Sequence, residues 1–198
     1  MESAFYLIIT ILLTSINGYG KVIKDTSGVY ATKADFAKNK LSYISSHRLK
    51  EKFGFLHSDF EYEARGIILL KNANKETVSF EPGKIYGFYN DGKKFLYIPD
   101  IKRYLFVLNE DPVTILIGEE TTFYRFNTNT DLRLFYLNPK NELEPINNEN
   151  VNRDFGDQEN IQQALMDIQK KFKESKRKRF RPKKFSKYIK ERFALKSD

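Results

Sequence analysis

Cysteine and tryptophan are both absent from this 198-residue chain, and histidine occurs only twice. The missing thiol removes disulfides, thiolate nucleophiles, zinc–thiolate sites and iron–sulfur clusters together. His47 and His57 stand ten residues apart, with no partner at helical spacing. They give neither a metal-ligand pattern nor the makings of a Ser-His-Asp relay. No Gly-x-Ser-x-Gly, His-Glu-x-x-His or phosphate-binding glycine loop is present. No cofactor and no metal are expected. Long apolar runs are also lacking: the longest, Phe5 to Leu13, is shorter than the roughly 20 residues a membrane-spanning helix needs.

That short run has another use. It is followed by the polar stretch Thr14 to Gly20, with small residues at Gly18 and Gly20 ahead of Lys21. An apolar segment, then small residues spaced for cleavage, is the pattern of a secretory leader. The N-terminal region carries Glu2 and no Lys or Arg, so its positive charge is the terminal amine alone. The expectation is a signal peptide over residues 1–20 and an exported protein, in the periplasm, outer envelope or extracellular space. Retention of the segment as an anchor is the alternative.

What the chain has in quantity is aromatic residues and positive charge. Hydrophobic residues make up 40% and aromatics 15%, enough for a packed core and too much for wholesale disorder. The net charge of +8 is concentrated at one end. From Lys170 to Asp198 there are fourteen Lys or Arg against three acids, a net of +11, which leaves residues 1–169 at −3. The molecule divides into a slightly acidic body and a strongly basic tail.

Along the body the signals are those of β-structure. Thr32-Lys-Ala-Asp35 has the spacing of a capping box and predicts a helix of two or three turns. From Asp59 to Arg65 charged and apolar residues alternate, which predicts a half-buried strand continued by Gly66 to Leu70. Thr77 to Phe80 is read as its return. Asn90-Asp-Gly92 separates Ile85–Tyr89 from Lys94–Ile98, a tight-hairpin signal because Asp-Gly accepts positive φ. Further strands are expected over 103–108, 113–117, 122–126 and 132–137, with Asn127 to Asp131 as a hairpin loop. The fold class is therefore mainly β, an antiparallel meander forming a curled sheet or small barrel, followed by two C-terminal helices. The expected division is an antiparallel β domain at 21–137, a polar linker at 138–156 and a separable basic helical appendage at 157–198. Ile161, Ala164, Leu165, Ile168 and Phe172 set the first helix, and Phe185, Tyr188, Ile189 and Phe193 the second, with Pro182 at its start.

Gly28-Val-Tyr30, Asp35-Phe36, the stretch Val78 to Tyr89 centred on Ile85-Tyr-Gly-Phe88, and Lys102 to Tyr104 resemble a loose group of exported Bacteroidetes proteins of unknown function. The resemblance implies an exported β-rich body with a charged helical tail, and carries over no catalytic residue.

Several patterns touch on chemistry. Asp59, Glu61 and Glu63 share one face of a strand at about 7 Å intervals, a spacing open to glycoside hydrolysis or Ca²⁺, and equally that of a solvated face. Asn127-Thr-Asn-Thr-Asp131 opens like a calcium loop, but Leu132 replaces the turning glycine and Asn138 the bidentate glutamate. Ser175 and Lys178 match Ser-x-x-Lys only within a lysine-rich run. The sharpest feature is the basic run itself, Lys176, Arg177, Lys178, Arg179, Arg181, Lys183 and Lys184, with Phe180 and Phe185 interleaved. It suits an anionic membrane surface or an acidic polysaccharide; nucleic acid is the partner only if the chain is not exported. It also suits the plain solvated face of two packed helices. The sequence points to a non-catalytic binding or structural module of the cell envelope, with a polysaccharide hydrolase using surface carboxylates as the alternative.

Export has a direct check. The intact mass of the protein recovered from its host is expected to correspond to a chain beginning at Lys21. Retention of Met1 with recovery from the cytoplasm would overturn the leader assignment.

Overall fold

Short turns between apolar runs leave a chain little choice but to pair neighbour with neighbour, and most of this fold follows from that. A computed structural model describes residues 27–45, 49–52, 61–63, 67–71, 74–81, 83–124, 127–176 and 180–194. The expected leader at 1–20, the histidines at 47 and 57, Asp59, and Arg177 to Arg179 lie outside the described residues. Among the described residues the strands are β1 (Ser27–Tyr30), β2 (Tyr43–Ser45), β3 (Lys50–Lys52), β4 (Glu61–Glu63), β5 (Ile67–Lys71), β6 (Thr77–Phe80), β7 (Gly87–Asn90), β8 (Lys93–Ile98), β9 (Arg103–Asn109), β10 (Ile115–Tyr124), β11 (Asn127–Leu137) and β12 (Leu143–Pro145). The helices are α1 (Lys33–Ala37), α2 (Asn148–Phe155), α3 (Glu159–Lys176) and α4 (Pro182–Ala194).

The chain is mainly β, as its turn spacing implies. The large sheet runs β12-β11-β10-β9-β8-β7-β1-β2, antiparallel at every pairing, and β4 adds to the edge of β9 alongside β10. β3, β5 and β6 form a separate small sheet. The large sheet has two ends, β12 and β2, and does not close into a barrel. Its β7–β8 hairpin turns at Asp91 (φ 52°) and Gly92 (φ 76°), a two-residue turn whose backbone twist matches the strands it joins.

Ser27 to Tyr30, outside every strand expected from the sequence, is a buried strand between β2 and β7. Three expectations need correction. The strand expected over 59–70 is divided between two sheets, since Glu61–Glu63 (β4) pairs with β9 while Ile67–Lys71 (β5) joins the small sheet. The change from an alternating to a continuous apolar pattern marks the switch. Asn127 to Asp131 is not a hairpin loop; it is the start of β11, paired residue by residue with Tyr124 back to Glu120. The β-branched Thr128 and Thr130 favour an extended ladder over a turn. Residues 138–156, expected as a polar linker, hold β12 and α2, whose Val151 and Phe155 are buried.

Period-two alternation in the central strands buries both faces of the sheet. On β9, Tyr104, Phe106 and Leu108 join one cluster while Leu105 and Val107 join the other. β10 divides Ile115 and Ile117 from Leu116 in the same way. The first face is covered by helices: Val151 and Phe155 of α2, Leu165, Ile168 and Phe172 of α3, and Phe185, Ile189 and Phe193 of α4 belong to its cluster. On the second face α1 contributes Phe36. Thr32 caps α1, its side chain accepting from the Asp35 amide at 3.1 Å, so the capping box is real although the helix has five residues. Phe36 reaches the sheet because Gly87 has no Cβ; one placed there would meet Phe36 ring carbons at 2.8 Å and the Phe95 carbonyl at 2.3 Å.

Polar ties join these layers. Lys94 of β8 is buried, donating to Phe36 O (2.9 Å), Asn39 Oδ1 (2.6 Å) and Glu110 Oε2 (2.6 Å), with its ammonium 3.8 Å from the Phe36 ring centroid. All three of its protons are used, and a basic group is placed at the carbonyl end of α1. Burial lowers the Lys94 pKa and Glu110 opposes that effect. On the helical side, Tyr136 donates to Asp154 Oδ2 at 2.6 Å, and Ser186 Oγ donates to the Leu108 carbonyl. Arg192 pairs with Asp167, joining α4 to α3.

Two outcomes are expected. Ile189, fully buried in α4, belongs to the sheet's own core, so Ile189→Ala should cost about 2–5 kcal/mol in a single urea transition that includes the strands. A separable appendage would instead leave the strand transition unchanged. The second concerns pH. The Arg153 guanidinium first, then the Tyr136 hydroxyl, hold Asp154 below the usual carboxylate range against the opposing effect of burial. A lowered folded-state pKa gives stability that is present above the unfolded pKa, about 4, and lost as pH falls through the folded value. Wild type should therefore lose more stability than Asp154→Asn between about pH 5 and pH 2, as followed by urea midpoints.

Candidate anion-binding site

The amphipathic spacing of α3 and α4 decides which charges face water. In α4 the stripe Phe185, Ile189 and Phe193 turns inward, leaving Lys183, Lys184, Lys187 and Lys190 exposed. In α3, Leu165, Ile168 and Phe172 turn inward, leaving Lys170, Lys171 and Lys173 exposed. Lys171 pairs with Glu174 at 3.5 Å and Lys187 with Glu191 at 3.6 Å. Both are solvent-exposed pairs, worth about 0–1 kcal/mol.

Of the expected site residues, Arg181, Lys183 and Lys184 lie together and exposed at the start of α4. Lys176 closes α3, and Arg177 to Arg179 fall outside the described residues. The expectation passed over Lys170, Lys173 and Lys190, which are also exposed, Lys190 on the flank of α4 that borders Glu110 and Asp111. Their signal was available, since each sits at a helical spacing that the inward stripe leaves free.

The placement at α4 runs against the ordinary rule. A helix N-terminus carries a partial positive charge and favours acidic side chains. The first turn of α4 has no acidic residue; it carries Lys183 and Lys184, with Arg181 just before it. The positive ends of the backbone dipoles and three side-chain cations thus add on one surface, which an approaching anion would neutralise.

Beside them, a groove of about 310 Å³ opens between the helices, lined by the cations Lys171, Arg181 and Lys184, the acid Glu174, and Phe180, Phe185 and Tyr188 among others. Phe180 stacks edge-on to Phe172 at 5.3 Å and leans on Phe185 at 5.4 Å, and Tyr188 lies 6.1 Å from Phe185. The rings are turned into the protein, and partial burial raises the Tyr188 pKa. The described residues with large exposed apolar side chains are Tyr43, Ile44 and Ile101, none of them on α3 or α4.

Of the carboxylate candidates, Asp59 lies outside the described residues. Glu61 and Glu63 lie on β4 opposite Leu105 and Arg103. Among the described residues no group of three His, Asp or Glu is placed to hold a metal ion. Ser175 donates to the Lys171 carbonyl at 2.7 Å, an ordinary helical back-bond. No described helix is long and apolar enough to cross a membrane. No family model, no curated protein and no solved structure matches the chain.

Proposed function

We propose that the protein is an exported, non-catalytic binding module of the cell envelope that holds an acidic polysaccharide against the exposed face of α3 and α4. The observation that carries this reading is the cation cluster Arg181, Lys183 and Lys184 at the positive end of α4, whose first turn holds no acidic residue. Such a cluster gives up helix stability, about 0.3–1 kcal/mol per misplaced charge, and gains affinity for anions. Lys171 of α3 borders the same groove as Arg181 and Lys184 and adds a further cation beside them. A polymer is favoured over a bilayer because this face has no exposed large apolar side chain among its described residues to enter the acyl region.

The test is binding to immobilised polygalacturonate, to phosphatidylglycerol-containing vesicles and to a single-stranded oligonucleotide. The polyuronate is expected to bind most tightly. Its binding constant should fall linearly with salt on a logarithmic plot, as for contacts that release condensed counterions. Reversing charge at Arg181, Lys183 and Lys184 together should lower it by at least about tenfold while raising the urea midpoint or leaving it unchanged, since acidic side chains suit a helix start. Preference for vesicles or oligonucleotide, or no binding at low salt, would overturn the reading.

A further inference from the structure

A second cavity adjoins this face on the far side of α3. It is a cleft of about 520 Å³ between the β11–β12 edge and α3, within the range of about 300–1,000 Å³ of small-molecule sites. Its lining includes Leu134, Ile146 and Phe172 as an apolar base, and Asp131, Arg133, Asn148, Gln169 and Lys173 as polar or charged groups. Leu134 and Ile146 are tied together by the Ile146 N–H donating to the Leu134 carbonyl at 3.2 Å, so the base belongs to the sheet.

Gln169 is the unusual member. Its Oε1 is covered by neighbouring atoms and has no hydrogen-bond partner, so a ligand in the cleft reaches it once the side-chain amide turns outward. A buried acceptor without a donor costs about 1–3 kcal/mol, and a chain keeps such a group where something donates to it. Phosphate and carboxylate oxygens cannot supply that proton; a hydroxyl can. Lys173 lies one helical turn further along α3, exposed and with no ion pair among the described residues, and is suited to a carboxylate. A hydroxyl donor and a carboxylate about one turn apart, over an apolar base, describe a sugar acid.

The cleft is also continuous with the charged face. Met166, Gln169 and Lys173 border both the cleft and a shallow depression that includes Lys170 and Glu174. Glu174 in turn borders the α3–α4 groove with Arg181 and Lys184. A chain seated in the cleft can therefore pass over α3 into that groove.

We propose that this cleft is a subsite for one hexuronic acid residue of the polysaccharide. It gives the charged face its selectivity for sugar acids over polyanions of equal charge. The proposal rests on the polysaccharide reading above, and the test separates the two. Affinities for a galacturonate trisaccharide and for polyglutamate are measured by calorimetry at low salt, for wild type, Gln169→Leu and Lys173→Met. Free galacturonate is titrated against the side-chain amide signal of Gln169 by NMR.

Gln169→Leu should weaken trisaccharide binding by at least about fivefold, leave polyglutamate binding unchanged, and leave the thermal midpoint equal or higher, because an unpaired buried acceptor has gone. A merely structural glutamine would move the midpoint down instead. Lys173→Met, at an exposed position, should weaken trisaccharide binding more than polyglutamate binding. If neither variant alters the preference for the trisaccharide, the cleft is not the subsite. If galacturonate shifts the Gln169 signal while no polyanion binds, the subsite stands and the polymer-binding face falls.

Discussion

The structure depends on covering one apolar face of a single open sheet. Tyr104, Phe106 and Leu108 of β9, Ile115 and Ile117 of β10, and Leu134 and Tyr136 of β11 all point to that side. Each is worth about 1.5–3 kcal/mol when taken from water, and nothing in the alternation of the strands hides them. The cover comes from the C-terminal helices, whose Phe155, Leu165, Ile168, Phe185 and Ile189 complete the same cluster. With no cysteine to cross-link it, the fold is held by that burial and by a few polar ties, of which the Tyr136–Asp154 bond at 2.6 Å is anchored in the core.

The same dependence shapes the charged face of α3 and α4. Helices that must present an apolar stripe inward are fixed in rotation about their own axes, so their outward residues are fixed too. Lys170 and Lys173 on α3, and Lys183, Lys184 and Lys190 on α4, stand where the buried stripes leave room. Charge on the outside and packing on the inside are thereby nearly independent, and outward charge can change with little effect on the core. That independence makes the cations at the start of α4 informative: the fold does not need them there, and helix electrostatics disfavours them.

Local chemistry made part of this legible in the sequence. Asn90-Asp-Gly92 specified its hairpin because few dipeptides accept two positive φ values, and Pro182 specified the start of α4 because it lacks an N–H to lose. β1 stayed hidden because four residues buried at every position, Ser27 to Tyr30, show no alternation. α2 stayed hidden because only Val151 and Phe155 mark its buried side within a polar stretch, although Asn147 supplies a proper cap, accepting from the Asn150 amide at 2.9 Å. Of the candidate site, the basic run was visible as composition. The cleft was not, because Leu134, Ile146 and Gln169 meet only after the strands and α3 have packed.

A folded basic face differs in kind from a flexible basic tail of equal charge. A disordered polycation must order its backbone on each contact, at roughly 1–2 kcal/mol per residue, and it discriminates poorly among anions because it adapts to all of them. On α3 and α4 the backbone is already ordered by the core, so that cost falls on folding rather than on binding. The spacing of cations is then set by the helical repeat of about 5.4 Å per turn, not by the ligand. A rigid array would accept some polymer repeats and reject others, and on the proposed reading the adjoining polar cleft would add recognition of the repeating unit to recognition of its charge. Salt would weaken the first contribution far more than the second, since charges on the exposed face are screened over about 8–10 Å while a buried hydrogen bond is not.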